Sequence, residues 1–68
     1  MTPVGGTAVD DAERCFAEAL AQLERGDLAA AENGFRQALA QLPDFTEALA
    51  NLAWVLERRG NVVAAEAA

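Results

Sequence analysis

Residues 25–32 read Arg-Gly-Asp-Leu-Ala-Ala-Ala-Glu, and residues 59–66 read Arg-Gly-Asn-Val-Val-Ala-Ala-Glu. A glycine followed by a capping side chain ends one helix and starts the next, because glycine takes the left-handed conformation that a helix C-terminus often needs. The two stretches are 34 residues apart. Shifting the whole chain by that period aligns Ala12–Gly34 with Thr46–Ala68, and seven of the 23 pairs are identical: Glu13/Glu47, Ala19/Ala53, Arg25/Arg59, Gly26/Gly60, Ala30/Ala64, Ala31/Ala65 and Glu32/Glu66. Chance agreement at this composition is about 2.7 pairs, so the excess marks an internal repeat.

Working outward from the first turn, Phe16, Ala19, Leu20 and Leu23 recur at helical spacing before Gly26, which predicts one helix with a single apolar stripe. Asp10 and Glu13 have the spacing of a capping box at its start. Asp27 caps a second helix whose inward candidates are Leu28, Ala31, Phe35, Ala38, Leu39 and Leu42. Pro43 stops it, since proline disfavours helical geometry in the residue before it. Asp44 and Glu47 form another capping pair and open a third helix with Leu49, Leu52, Ala53 and Leu56 as its stripe. Gly60 is expected to end that helix, and Asn61 to cap a short fourth segment, Val62–Ala68. Strand signals are missing, so the fold class is all-α: three helices plus a short fourth. Residues 1–9, with Pro3, Gly5 and Gly6 and no basic residue, read as a flexible arm rather than a signal peptide. Residues 10–68 form the domain.

Composition narrows the function. The 68 residues include 17 Ala, and Ser, His, Lys, Tyr and Ile are absent. That removes a Ser–His triad, a histidine metal ligand, a Lys Schiff base and a Tyr acid, so the chain is not expected to be an enzyme. Eleven carboxylates against five arginines leave a net charge of −6, the wrong sign for a phosphate binder. Arg58 and Arg59, beside Glu57, read as the solvated last turn of a helix. The longest apolar stretch, Ala48–Leu56, is shorter than a membrane span and contains Asn51. Cys15 is the only cysteine, with no His or Lys nearby to activate it. It reads as a small buried hydrophobe in a reducing, cytoplasmic setting. Glu13, Glu18 and Glu24 read as a solvated face rather than a metal site, and no cofactor or metal is expected.

The residues around the turn resemble the tetratricopeptide repeat family, whose period is 34 residues and whose pattern is W-x2-L-G-x2-Y followed by A-x3-F and a proline. Leu49-x2-Leu52-Ala53-x2-Leu56 is a conservative version of the first part. Ala31-x3-Phe35, then Ala38 and Pro43, supplies the second. One departure is that Cys15, Glu18 and Gln22 stand where the first helix should be apolar. The resemblance implies antiparallel helix hairpins forming a fragment of a right-handed α-solenoid, with repeat one at about 12–45 and a partial repeat two at about 46–68. It also implies a protein–protein interaction module. The first helix of each repeat would line a concave groove for a peptide or partner helix, here through Glu47, Asn51, Trp54 and Arg58 with Phe16 and Leu20. Asn51 reads equally as a solvated polar residue, and Trp54 as packing against a neighbouring helix. A chain this small seldom stabilises itself with one core, and Val62, Val63 and Ala65 have little to cover them. A homodimer formed through the incomplete C-terminal helix is therefore expected. The alternative is a substrate-presenting segment of a larger bacterial enzyme such as an O-linked glycosyltransferase. A plain coiled coil is disfavoured because Gly26, Pro43 and Gly60 interrupt the chain.

Overall fold

A computed structural model of the chain describes the backbone of residues 7–67 and the side chains of residues 8–61. Three helices follow one another: α1 (Thr7–Glu24), α2 (Leu28–Gln41) and α3 (Thr46–Ala67). The expected arm falls mostly on residues 1–6, outside the described residues, and α1 begins at Thr7 rather than after Asp10. Asp10 lies in its first turn, where a carboxylate suits the positive end of the helix dipole without acting as a cap.

The first turn forms as its residues dictate. Gly26 has φ +82°. The Gly26 N–H donates to the Leu23 carbonyl at 3.0 Å, and the Asp27 N–H donates to the Gln22 carbonyl at 2.9 Å. Together these two bonds satisfy carbonyls that the end of α1 would leave orphaned. Asp27 then caps α2 by accepting from the Ala30 N–H at 3.1 Å, so one residue closes the first helix and opens the second. At the other end of α2, Leu42 is extended (φ −141°, ψ 88°), the conformation that Pro43 imposes on its neighbour.

Small residues set the spacing between α1 and α2. Gly34 meets Ala19 so closely that a Cβ built on Gly34 would lie 2.7 Å from the Ala19 Cβ and 3.2 Å from its Cα. The core around this contact contains Ala19, Ala31, Phe35, Ala38, Ala48 and Val55, all fully buried. Phe35 and Val55 are its bulkiest members. The Phe16 ring lies 5.7 Å from Phe35 and 4.9 Å from Phe45, at the separations where tilted aromatic pairs attract. Phe45 holds the position just before α3, and its carbonyl accepts the Leu49 N–H at 3.1 Å. The expected Asp44 cap is thereby displaced: ring packing places Phe45, and not Asp44, where the cap would stand.

Two expectations for α3 are corrected. Gly60 does not end it, and no separate fourth helix begins at Asn61. The helix runs on to Ala67, and Gly60 lacks the positive φ of Gly26. A glycine inside a helix costs only about 1 kcal/mol, and Ala64, Ala65, Glu66 and Ala67 are strong helix formers that favour continuing. The side chains of residues 62–68, on which the expected apolar face depended, lie outside the described residues. The second correction concerns the buried face. Ala48 and Val55 are fully buried and Leu52 packs beside them, whereas Leu49 is 49% exposed, Leu56 is 41% exposed and Ala53 lies on the surface. The period explains this. The counterparts of Leu49 and Ala53 on α1 are Cys15 and Ala19, which turn towards α2, the hairpin partner of α1. Among the described residues α3 has no such partner, and α2 covers it about 100° away, one residue round the helix.

Glu32 ties α2 to α3. Its carboxylate accepts from Arg36 Nε at 3.0 Å within α2 and pairs with Arg59 of α3. These two guanidinium hydrogen bonds, that of Arg59 first, hold its pKa below the ordinary carboxylate value. A carboxylate with a lowered folded pKa stabilises the fold fully above its unfolded pKa, and that contribution is lost as pH falls through the folded value. An NMR titration is therefore expected to find the Glu32 midpoint below the ordinary glutamate value. Arg59→Ala should move that midpoint back up towards the ordinary value, and an unmoved midpoint would contradict the pairing.

The glycines give a second expectation. Gly34→Ala should lower stability by about 1–3 kcal/mol, since the added methyl meets the Ala19 backbone. Gly60→Ala should raise it by about 0.5–1 kcal/mol, because nothing lies within 4 Å of its missing Cβ. Denaturant melts read both. Destabilisation by Gly60→Ala would indicate a bend at Gly60 instead of a continuous α3.

Candidate partner-binding surface

Glu47, Asn51, Trp54 and Arg58 recur on α3 at spacings of four, three and four, which places them on one face of a 3.6-residue helix. That face lies away from Leu49 and Leu56. It is organised by two local contacts. The Arg58 guanidinium carbon sits 5.0 Å from the centroid of the Trp54 ring, within cation–π range and worth about 0.5–1 kcal/mol at an exposed site. One turn earlier, the Asn51 Nδ2 donates to the Glu47 carbonyl at 2.8 Å. This bond uses one of the two amide N–H donors and fixes the rotamer, so that the second donor and the carbonyl oxygen remain for a partner.

Trp54 is the only tryptophan in the chain and is 46% exposed. Arg58 and Arg59 are exposed, as the sequence suggests, but they do not form the last turn, because α3 continues past them. Arg58 lies over Trp54, and Arg59 is bound to Glu32 on another side of the helix.

The two α1 residues expected in the groove have a different character. Phe16 and Leu20 are half-buried and pack against the core. Phe16 serves chiefly as the middle ring of the Phe35–Phe16–Phe45 cluster. Each therefore offers a partner only the edge left uncovered. Two features that shape the surface were missed in the sequence. Phe45 anchors the start of α3 and could have been found as an apolar side chain directly before a helix. The Glu32–Arg59 pair, which orients α3, left a trace in the repeat, where Arg25/Arg59 and Glu32/Glu66 are both identities.

No group of three or more His, Cys, Asp or Glu side chains suited to a metal occurs among the described residues. Cys15 is half-buried rather than fully buried, and its Sγ lies 4.0 Å from Gln37 Oε1. No helix among the described residues is long and apolar enough to cross a membrane. All buried residues among those described are hydrophobic, so none of the described charged side chains is fully buried.

No curated protein and no solved structure matches the chain. The family model for the tetratricopeptide repeat matches residues 16–68, from the middle of α1 through α3. Its members are generally non-catalytic modules that bind other proteins. The glycine-turned hairpin and the close packing of Ala19 on Gly34 agree with that match, and the chain belongs to the tetratricopeptide repeat family.

Proposed function

We propose that this module binds an extended peptide or a partner helix along the α3 face of Glu47, Asn51, Trp54 and Arg58, with the uncovered edges of Phe16 and Leu20 as the apolar floor beside it. The observation that carries the reading is the half-exposed Trp54 ring with Arg58 laid over it. Tryptophan and arginine are among the residue types that most often carry the binding energy of an interface. Asn51 supplies a donor and an acceptor for a peptide backbone, and Glu47 an anionic end. The chain as a whole carries a net charge of −6, so the favoured partner is amphipathic and basic, since charge of opposite sign speeds encounter. The absence of lysine argues against capture of a C-terminal carboxylate. The same reading includes self-association, because Leu49 and Leu56 are also left on the surface. Binding, not catalysis, is the activity proposed.

Trp54 is its own reporter. Titration with a synthetic amphipathic Lys/Leu helix should shift its emission to the blue. Calorimetry with the same peptide should show Trp54→Ala weakening binding by about thirtyfold or more, the size of a hot-spot truncation. Asn51→Ala should weaken it by roughly threefold to tenfold, one hydrogen bond's worth. Equal affinity in both variants, with unchanged far-ultraviolet dichroism, would contradict the assignment of the face.

A further inference from the structure

A second apolar strip runs along α3, on the side away from Trp54. Leu49, Ala53, Leu56 and Gly60 recur at spacings of four, three and four, the repeat of a coiled-coil seam. The strip exists because α3 passes straight through Gly60; a bend there would break it. All four positions are exposed, Leu49 and Leu56 at 49% and 41%, and nothing lies within 4 Å of the missing Cβ of Gly60. The charged side chains of residues 46–61 lie off the strip: Glu47 and Arg58 on the Trp54 face, Arg59 drawn to Glu32, and Glu57 at the margin.

Resting on the self-association reading above, we propose that this strip pairs with the same strip of a second copy, α3 running antiparallel to α3 about a twofold axis. Each leucine then seats against a small residue. Leu49 of one copy lies against Gly60 of the other, and Ala53 against Leu56. Every layer holds one large and one small side chain, so the helices approach evenly. A parallel pair would stack leucine on leucine and glycine on glycine. In the antiparallel register Glu57 falls beside Ala50 of the other copy and Arg59 beside Leu52, so no like charges meet. The opposed helix dipoles also favour this arrangement. The molecule already uses close approach through small residues, at Ala19 and Gly34.

The charge pattern also selects the occupant. A head-to-tail stack would present the outer side of α1 to the strip. There the 34-residue counterparts of the buried Ala48, Leu52 and Val55 are Arg14, Glu18 and Ala21. All three are exposed, and Arg14 is paired with Asp11 at 3.2 Å. Covering leucines with Arg14 and Glu18 would strip both charges of water without a partner. The strip itself offers an uncharged surface that matches it, and a self-complementary patch closes as a twofold dimer. Because each copy carries −6, the apolar contact works against mutual repulsion, and added salt should tighten it.

Two measurements on the full 68-residue chain test this. Sedimentation equilibrium should find a dimer that strengthens with salt. Leu56→Glu, which removes the leucine from both sides of the axis, should weaken it by roughly a hundredfold at unchanged helicity. In a Cys15→Ala background, mixing the Ala53→Cys and Leu56→Cys chains in a thiol–disulfide buffer should give the mixed disulfide in preference to either homodimer. A monomeric parent chain overturns the pairing, and if that monomer still binds the Lys/Leu peptide the Trp54 face stands. A dimer indifferent to Leu56→Glu, or one in which the Ala53→Cys homodimer predominates, overturns the antiparallel strip while leaving self-association intact. Should Leu56→Glu lose helicity, the disulfide pattern decides alone.

Discussion

The contact between Ala19 and Gly34 sets the positions of nearly everything else. Two helices can approach this closely only where neither carries a side chain larger than a methyl at the crossing. The approach places Phe35, one residue further along α2, inside the hairpin, where it is fully buried. Its ring meets Phe16, and Phe16 meets Phe45 at the start of α3. The position of the third helix is thus transmitted from a pair of small residues through three rings. An Ala-rich core buries little area per residue, so such a chain depends on close fit more than on bulk.

The rotation of α3 about its own axis matters as much as its position, because it decides which faces are left for partners. Ala48 and Val55 are small knobs and would define that rotation weakly. Glu32 adds direction by holding Arg59. An ion pair at the surface contributes little stability, but it favours one rotation over its neighbours. With Arg59 held, Trp54 and Arg58 turn to one side, and Leu49 and Leu56 to another. One helix therefore presents two unlike surfaces: an amphipathic, hydrogen-bonding face suited to a peptide, and an uncharged strip suited to a copy of itself.

The architecture was largely legible in the sequence, because turn chemistry is local. Gly26, Asp27 and Pro43 act within one or two residues of themselves, and each does what its type dictates. The inward stripe of α2 was legible for the same reason: both sides of that helix are covered, so its periodicity has one solution. Gly60 was misread because the same dipeptide chemistry is permissive and not compulsory. A glycine permits a turn but does not force one, and inside a helix it costs only about 1 kcal/mol. The α3 stripe was misread through the repeat motif itself, whose apolar positions Leu49 and Leu56 mark the side a hairpin partner covers, whereas burial here follows α2. At the candidate site, the shared face of Glu47, Asn51, Trp54 and Arg58 follows from spacing. The Arg58–Trp54 stack and the Asn51 rotamer depend on conformations that spacing does not specify.

The most direct test of the account is a proton NOE spectrum of the chain. Close nesting of the first two helices requires a strong cross-peak between the Ala19 methyl and the Gly34 α-protons, accompanied by contacts from the Phe16 ring to both Phe35 and Phe45. A spectrum with the helical signals of α1 and α2 intact but no Ala19–Gly34 cross-peak would contradict it.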